Sequence, residues 1–572
     1  MQGSSTSQPQ GLVKRKVKTG CKTCKARHVK CDESRPACRR CVSTGRVCNG
    51  YGIWGGGDNH RQISSSQGLS IHCAPAPGGN LNPDEQMSFD WFIEKTTKKF
   101  AGIFTSDFWE TLVLQASAQE PAVRHAVVAL SAAHRCDSGQ DARTLAAPRG
   151  SSAEEFMLKQ YNKAIHHLRC SPTTNNIPNI RVTLITCMIF VTLEYLRGQY
   201  KSGNAHLRYG IQLLSELSAP GSVRCPQPTI SPSFRSPLAD FAHNALIDSY
   251  SRLTIQSAMF GIVPSHMCIM TDDQQLKRSP SSFQSIIEAR QSLDDLLHKV
   301  KCLKEDHQNA NELGRPMDHT AAFAAQTNIQ RDLALWRQAY DAALGSWQAN
   351  KNSRDLAGSI LLGMYHEMAS VMAAVSLSEN EMAFDAHTDN FAAIIRGVSQ
   401  LPGIWSSPNG RQDTAGIKGL GCDDSGFTIA TGYIPPVYYT AMKCRIPWIR
   451  RQAILALRST SHREGVWNGP LLASVLEEVI CIEDGQNDSA HSNPDSGGQF
   501  SEAIHDHSHK PCVDEMSRIA DVKVLLPDST VAHMDTFISF KKMTFDGRWV
   551  TLERNIGSGS TGRQLHTEEH LH

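Results

Sequence analysis

Six cysteines between Gly20 and Asn49 constrain the fold of this chain more than any other feature. They are separated by two, six, six, two and six residues, so the region is a doubled C-x2-C-x6-C unit. A closed structural zinc site takes four tetrahedral ligands, and two separate sites would take eight. Six thiolates can hold two ions only if two thiolates bridge both ions, one from each half. The six residues are Cys21, Cys24, Cys31, Cys38, Cys41 and Cys48.

Bound metal explains these cysteines better than the alternatives do. The region is too short to bury a core, so metal must supply the stability, about 10–16 kcal/mol for a structural zinc. Soft thiolates favour zinc, monovalent copper or iron–sulfur clusters, but an iron–sulfur cluster takes four cysteines and leaves two unused. Disulfides require a secretory context, and residues 1–11 lack the apolar segment of a signal peptide. A single zinc also stays open, although it leaves two cysteines without a role; its ligands would be Cys21, Cys24, Cys38 and Cys41.

The cysteine region is strongly basic. Between Lys14 and Cys48 the chain carries twelve lysines and arginines and two acidic residues, whereas the whole chain has a net charge of +2. The remainder is therefore mildly acidic, and a basic module on an acidic body is typical of nucleic-acid-binding proteins. Phosphate contacts from these side chains would give affinity and a steep salt dependence but little sequence preference.

The segment CKTCKARHVKCDESRPACRRC resembles the fungal binuclear zinc cluster DNA-binding domain, the six-cysteine, two-zinc type of transcription factor. The resemblance covers every cysteine, the basic run before the third cysteine, Asp32 and Pro36. It implies that Cys21 and Cys38 bridge two zinc ions. It also implies that the first of two short helices enters the major groove at a short CG-rich triplet. One site would be completed by Cys24 and Cys31, and the other by Cys41 and Cys48.

The resemblance also indicates which side chains meet DNA. In this family base contacts come from the end of the first helix, which here carries Arg27 and His28. Arginine suits the O6 and N7 acceptors of guanine. A neutral histidine donates from one nitrogen only, so His28 either contacts a base, contacts a phosphate or faces solvent. We expect Lys25 and Lys30 to meet phosphates. The predicted DNA-binding residues are Lys22, Lys25, Arg27, His28 and Lys30.

The regions that flank the cluster are predicted to be an arm and a linker. Residues 1–18 are predicted to be a disordered basic arm, 19–50 the zinc cluster, and 51–83 a flexible linker rich in glycine, serine, asparagine and glutamine. No sustained heptad pattern follows the cluster, so both a monomer and a dimer formed through the large domain stay open. A nuclear import signal, a phosphate-binding arm, or both are predicted at Lys14, Arg15, Lys16 and Lys18.

Residues 84–555 are predicted to form a large, mainly α-helical domain, followed by a disordered tail at 556–572. Val182–Leu196 is apolar nearly all round but shorter than the roughly 20 residues of a membrane span, which predicts a buried central helix. Strand signals are nearly absent before Val522, and Phe545–Trp549 predicts a hairpin turn. The fold class is thus a small metal-stabilised DNA-binding domain, then a large helical domain with a small C-terminal β element.

The helical region resembles the fungal-specific transcription factor domain. The resemblance lies in FWETLVLQASAQEPAVRHAVVALSAAH, ITCMIFVTLEYLRGQYKSGNAHLRYG and IPPVYYTAMKCRIPWIRRQAILAL. It implies a domain that regulates activity or responds to effectors. An acidic group near its end predicts either an activating patch or, more in keeping with helical spacing, a solvated helix face; its members are Glu477, Glu478, Glu483 and Asp484.

These patterns together predict a nuclear, sequence-specific DNA-binding regulator of RNA polymerase II genes. Its expected cofactors are two zinc ions, and its expected partners are double-stranded DNA and the transcription machinery or co-regulators, with no membrane. The family frequently controls a metabolic or secondary-metabolite gene cluster. No enzyme is predicted, because no phosphate-binding loop, nucleophile elbow or zincin motif occurs. The alternative is a zinc-dependent protein-interaction or co-regulator module, whose affinity for its partner would be insensitive to salt.

Overall fold

The computed structural model divides the chain into two compact units. One unit contains the cysteine-rich region, and the other contains most of the chain after residue 78. The arm at 1–18, nearly all of the linker and all of the tail but Ile556 lie outside the described residues. The structure describes residues 23–24, 27, 29–32, 38–44, 81–138, 153–170, 177–218, 237–262, 281–314, 317–349, 353–401, 426–485, 513–526, 536–544 and 546–556.

Two short helical turns carry Cys24 and Cys41 of the first unit, and Cys38 caps the second turn. In the first turn the Arg27 N–H donates to the Thr23 carbonyl at 3.2 Å. The second turn is helix α1, Arg39–Val42, which begins after Cys38. The Cys38 sulfur accepts a hydrogen bond from the Cys41 N–H at 3.3 Å, so one cysteine caps the helix that carries the next.

The second unit begins with a capped helix. Asn82 accepts a hydrogen bond from the Glu85 N–H at 2.9 Å, and the Glu85 carboxylate accepts one from the Asn82 N–H at 3.1 Å. This reciprocal cap, with Pro83 in the first helical turn, fixes where helix α2, Pro83–Trp91, begins. The last two residues assigned to the linker therefore cap and begin this helix.

Most of the described chain after residue 81 is helical. The segment after α2 continues through a π-helical turn, Phe92–Thr96, into α3, Thr97–Ala101. A second π-helical turn, Phe108–Leu112, leads into α4. The helices that follow are α4 (Val113–Gln119), α5 (Pro121–Asp137), α6 (Ala153–Cys170), α7 (Ile177–Leu196), α8 (Tyr200–Ser218), α9 (Pro237–Phe260), α10 (Ile286–Glu312), α11 (His319–Ala349), α12 (Ser353–Ala374), a 3-10 helix (Glu381–His387), α13 (Thr388–Gln400), α14 (Ile434–Lys443), α15 (Pro447–Arg458) and α16 (Gly469–Glu483).

Helix α7 is the buried helix that the sequence predicted over Val182–Leu196. Leu184, Ile185 and Ile189 on it are fully buried, which confirms the prediction. The carbonyl of Leu184 accepts a hydrogen bond from the Tyr250 hydroxyl at 2.9 Å. Among the helices that the structure describes, none combines the length and the apolarity that crossing a bilayer requires.

A small mixed sheet lies within the helical region. Strand β1 (Gly426–Thr428) pairs in parallel with β2 (His462–Glu464), which pairs antiparallel with β3 (Trp467–Asn468). The fully buried Glu464 carboxylate accepts hydrogen bonds from the N–H groups of Gly432, at 2.9 Å, and Ile434, at 3.3 Å. This sheet holds the beginning of α14 and was not predicted. Its strands of two or three residues agree with strand signals that are nearly absent before Val522.

The predicted C-terminal β element is a three-stranded antiparallel sheet. Strand β4 (Ile519–Leu525) pairs with β5 (Thr536–Met543), which pairs with β6 (Trp549–Ile556). At the hairpin between β5 and β6 the Thr544 N–H donates to the Arg548 carbonyl at 2.8 Å, and Gly547 takes a φ of 78°. A residue without Cβ takes this positive φ most readily. The hairpin turn predicted at Phe545–Trp549 is confirmed.

Buried ion pairs connect the C-terminal sheet to the helices. Arg445 Nη2 lies 2.6 Å from one carboxylate oxygen of Glu483, and Arg450 Nη2 lies 2.8 Å from the other. Just before β4, Arg518 makes two hydrogen bonds, at 2.7 and 2.9 Å, to the carboxylate of Asp385. The side chain of Glu483 is fully buried, so the solvated helix face expected for the acidic group is wrong at this residue. We call these residues, with Glu381, the carboxyl-terminal ion-pair network.

Candidate metal centre

The described cysteines of the array lie together in a closed cluster. Cys24, Cys38 and Cys41 are fully buried and Cys31 is 5% exposed. Val29 packs against them as a partly buried apolar neighbour. Thiols are seldom buried together in so small a unit unless they ligate metal or form disulfides, and none of these four forms a disulfide. Cys21 and Cys48, the outer members of the predicted ligand set, lie outside the described residues.

The sulfur separations fit thiolate ligation. Cys24 Sγ lies 3.6 Å from Cys38 Sγ and 3.7 Å from Cys41 Sγ. A disulfide would bring two sulfurs to about 2.05 Å. Two thiolates on one tetrahedral zinc, each with a Zn–S distance near 2.3 Å, lie about 3.8 Å apart. The observed separations therefore match thiolates that share an ion, and zinc is the metal that four-coordinate thiolate sets favour. The two-zinc scheme places Cys24 and Cys41 on different ions, so their 3.7 Å separation by itself fits the single-zinc set.

Cys38 occupies a special position in the cluster. Its sulfur belongs to one group of close ligand atoms with Cys24 and Cys41, and to a second with Cys31 and Asp32. A residue shared by both groups has the location that a bridging thiolate requires. The single-zinc alternative would use Cys24, Cys38 and Cys41, which do lie together, but it gives no role to the buried Cys31 beside Cys38.

Asp32 connects the two halves of the cluster. Its two carboxylate oxygens accept hydrogen bonds from the N–H groups of Arg39, at 2.9 Å, and Arg40, at 3.0 Å. These are orphan donors of the first turn of α1, and a carboxylate there is also favoured by the helix dipole. An aspartate next to a ligand of the first half thus caps the helix of the second half. The sequence marked the Cys31–Asp32 pair as part of a resemblance but did not indicate this contact.

Basic side chains surround the cluster. Lys30, Arg39 and Arg40 are exposed, and Arg27 is partly buried. Arg27 Nη1 donates to the Thr44 hydroxyl at 3.3 Å, a contact to the second half that the sequence did not indicate. The remaining predicted DNA-binding and arm residues lie outside the described part of the chain: Lys14, Arg15, Lys16, Lys18, Lys22, Lys25 and His28.

Comparison with known proteins assigns both regions. Residues 19–53 match the fungal Zn(2)-Cys(6) binuclear cluster domain, and residues 89–343 match the fungal specific transcription factor domain. The chain is 23% identical to the aspercryptin biosynthesis cluster-specific transcription regulator of Emericella nidulans, over 87% of this chain and 92% of that protein. No solved structure matches the chain significantly.

Two further relatives match over shorter stretches. Transcription regulator lscL of Purpureocillium lilacinum is 26% identical over 39% of this chain and 54% of its own length. A Zn(2)-C6 fungal-type transcription factor of Aspergillus fumigatus is 33% identical over 22% of this chain and 34% of its own length. The chain therefore spans about half the length of the first of these and about a third of the second.

A buried thiolate cluster in a basic module, followed by a helical body, defines a zinc-binding regulator of transcription. The chain carries the fungal binuclear zinc cluster domain and, after it, the fungal specific transcription factor domain, and its relatives are named as transcription regulators. Its family implies DNA binding, and the matches point to a regulator rather than an enzyme.

Proposed function

We propose that this protein is a nuclear, sequence-specific regulator whose cluster binds two zinc ions through Cys21, Cys24, Cys31, Cys38, Cys41 and Cys48. The membership of Cys38 in both groups of close ligand atoms supports this proposal most directly. Cys38 and its equivalent in the first half, Cys21, would then bridge the ions. The domains would run from the arm at 1–18 through the cluster at 19–50 and linker at 51–83 to a regulatory domain at 84–555, with the tail at 556–572.

The proposed DNA contacts divide into two kinds. Arg27 and His28 would face base edges in the major groove at a short CG-rich half-site, where arginine suits guanine. Phosphates would be met by lysines of the cluster and by the arm, which would also serve as a nuclear import signal. The Arg27–Thr44 hydrogen bond supports an ordered guanidinium at the end of the first helical turn. The phosphate-contacting residues would be Lys14, Arg15, Lys16, Lys18, Lys22, Lys25 and Lys30.

The relatives suggest the biological role. The Emericella nidulans relative is named as a biosynthesis cluster-specific regulator, and its match extends over most of both chains. We propose that this protein likewise regulates one metabolic or secondary-metabolite gene cluster through RNA polymerase II. The helical domain would modulate activity or recruit the transcription machinery or co-regulators.

Metal content and footprinting of the full-length protein test the cluster. We expect two zinc ions per chain and an operator footprint that chelator removes and added zinc restores. Cys38→Ala should lose zinc and the footprint, whereas Cys170→Ala, an exposed cysteine on α6, should keep both. One zinc per chain would favour the four-cysteine site, and a footprint that survives chelation would refute the metal-dependent proposal.

Selection of bound sites from random DNA tests the contacts. Arg27→Ala should relax the base preference, while Lys25→Ala should weaken binding to all sequences alike. The reverse pattern would overturn the assignment. The selected sites would also report whether half-sites occur singly or in pairs. Binding should weaken steeply between about 50 and 200 mM salt, whereas salt-insensitive binding to a protein partner would favour the co-regulator module.

A further inference from the structure

Strand β6 pairs with β5 along one side only. It is an edge of the sheet, and no strand that the structure describes lies along its second side. The Thr544 N–H donates to the Arg548 carbonyl at 2.8 Å, so these residues form a hydrogen-bonded pair at the start of the β5–β6 ladder. Such pairs alternate along an antiparallel ladder. The backbone N–H and C=O groups of every second residue of β6 therefore point away from β5: Trp549, Thr551, Glu553 and Asn555.

The two edges of this sheet differ in how they are protected. At the β4 edge the register with β5 is interrupted between Ala520 and Lys523, and Asp521 takes a φ of 49°. Bulges and exposed lysines are devices that keep edge strands from pairing. Strand β6 keeps an unbroken register with all eight residues of β5 and contains no proline, glycine or lysine. An edge of this length and regularity is a template for a further strand.

Apolar side chains are exposed at two corners of the sheet. Leu525 lies opposite Phe537, and their exposed fractions are 47% and 40%. At the other end of the sheet Trp549 lies opposite Met543 and is 40% exposed. Side chains alternate between the two faces along each strand, so all four residues lie on the same face. A single chain leaves both apolar corners in contact with water.

We propose that β6 pairs antiparallel with β6 of a second copy of this chain, about a two-fold axis at Leu552. Outward-pointing residues pair with outward-pointing residues, so the allowed registers differ by two residues. The axis at Leu552 pairs the strand from Trp549 to Asn555. It places Thr551 opposite Glu553 of the other copy, where the hydroxyl can donate to the carboxylate. An axis at Glu553 would oppose two carboxylates, which is destabilising, and an axis at Thr551 would shorten the paired segment.

The same register brings the apolar corners of the two copies together. Within one chain Asn555 lies opposite Phe537 on β5. In the dimer Trp549 of the other copy lies on the second side of Asn555. Neighbouring side chains on a sheet face are within reach of large aromatic rings, so the corners cover one another in part. The row across the face consists of Leu525, Phe537 and Asn555 of one copy, then Trp549 and Met543 of the other, and the two-fold axis produces it twice.

One strand pair is a small interface, so the dimer should be weak and should form in the micromolar range. The chain has no sustained heptad pattern after the cluster, and this strand pair would give the regulator another means of bringing two clusters together. That consequence rests on the proposed DNA binding, whereas the dimer itself does not.

Sedimentation of the full-length protein without DNA measures the dimer. The wild type should change from monomer to dimer between nanomolar and high micromolar concentration. Thr551→Glu places a carboxylate opposite Glu553 at two symmetric positions and should raise the dimer Kd about tenfold or more. Thr551→Arg places a cation there and should not weaken the dimer. The control is Lys523→Glu on the exposed side of β4, which should leave the Kd unchanged.

A charge exchange tests the register. Thr551→Glu combined with Glu553→Arg restores opposite charges between the copies and should recover the dimer. A wild type that stays monomeric, a Kd that Thr551→Glu does not change, no recovery in the double variant, or a weaker dimer in Lys523→Glu would each overturn the proposal. Circular dichroism checks that the variants fold. If Thr551→Glu does not fold, Thr551→Pro removes an outward N–H without breaking the β5–β6 ladder and should abolish the dimer.

Discussion

Replacing Glu483 by glutamine should destabilise the helical unit far more than a matched change on the same helix. Glu483 is fully buried, with Arg445 2.6 Å from one carboxylate oxygen and Arg450 2.8 Å from the other. The same carboxylate accepts a hydrogen bond from the Ile519 N–H, at 3.3 Å, at the beginning of β4. Glutamine keeps the shape but leaves two buried guanidinium groups facing a neutral amide.

The expected loss of stability depends on which of the two arginines keeps a negatively charged partner. Removing one partner of a buried ion pair costs about 3–5 kcal/mol, because the remaining charge is left uncompensated. Arg445 also lies 3.3 Å from Glu381, so this arginine keeps one negatively charged partner in the variant. The expected loss of stability is therefore near the lower limit of that range. The control is Glu477→Gln, which removes the exposed Glu477–Arg458 pair of α16. Exposed pairs contribute about 0–1 kcal/mol.

Urea unfolding followed by tryptophan fluorescence measures the difference. We expect the midpoint of Glu483→Gln to fall well below that of Glu477→Gln, corresponding to about 2–4 kcal/mol between them. Protease cleavage near β4 should also increase in Glu483→Gln, because Ile519 loses its anchor. If the two variants unfold at the same urea concentration, the carboxylate at Glu483 does not stabilise the fold and the reasoning is refuted.

The two ion pairs of Glu483 also predict how the stability of the fold depends on pH. Burial alone would raise the pKa of Glu483, but Arg445 and Arg450 outweigh it and hold the pKa below its ordinary value. The stabilisation is therefore fully present above the unfolded pKa of about 4.3 and is lost as pH falls through the lower folded pKa. The stability difference between wild type and Glu483→Gln should narrow in this acid range, and a difference that widens on acidification would contradict the assignment.

Two further predictions concern other contacts. Asp32→Ala should weaken zinc retention about tenfold in competition with a chelator, because α1 loses a cap typically worth about 1 kcal/mol or more; unchanged retention would show that the contact between the halves is dispensable. Gly210→Ala should cost about 1–3 kcal/mol in urea unfolding, because its Cβ would overlap the Tyr250 hydroxyl, whereas Gly345→Ala on α11 meets open space and should be neutral or stabilising. Equal effects of the two glycine variants would refute the packing argument.

The sequence predicted those features that depend on local spacing. Metal ligands act through residues a few positions apart, so the cysteine spacing was enough to bring Cys24, Cys31, Cys38 and Cys41 into one expected cluster. A buried helix was expected over Val182–Leu196, and α7, Ile177–Leu196, contains that range. The length of its apolar run, shorter than the roughly 20 residues of a membrane span, distinguished α7 from a membrane helix.

Features that depend on distant partners were not predicted. Strands β1 and β2 have three residues each and pair across more than thirty positions, too short to show an alternating pattern. Glu483 looked like any acidic residue near a helix end, because its partners Arg445 and Arg450 lie on other elements. The cap by Asp32 was missed for the same reason, since the helix that it caps begins seven residues later.

The carboxyl-terminal ion-pair network makes the strands β4 to β6 an integral part of the folded helical domain. A protein that ended at residue 485 would lose Arg518, the Ile519 amide and all of β4 to β6 at once. Asp385 would lose its ion pair with Arg518, and Glu483 would lose the hydrogen bond from the Ile519 N–H. A late premature stop should therefore yield a poorly folded protein rather than a shortened regulator, and fragments designed for expression should extend at least to Ile556.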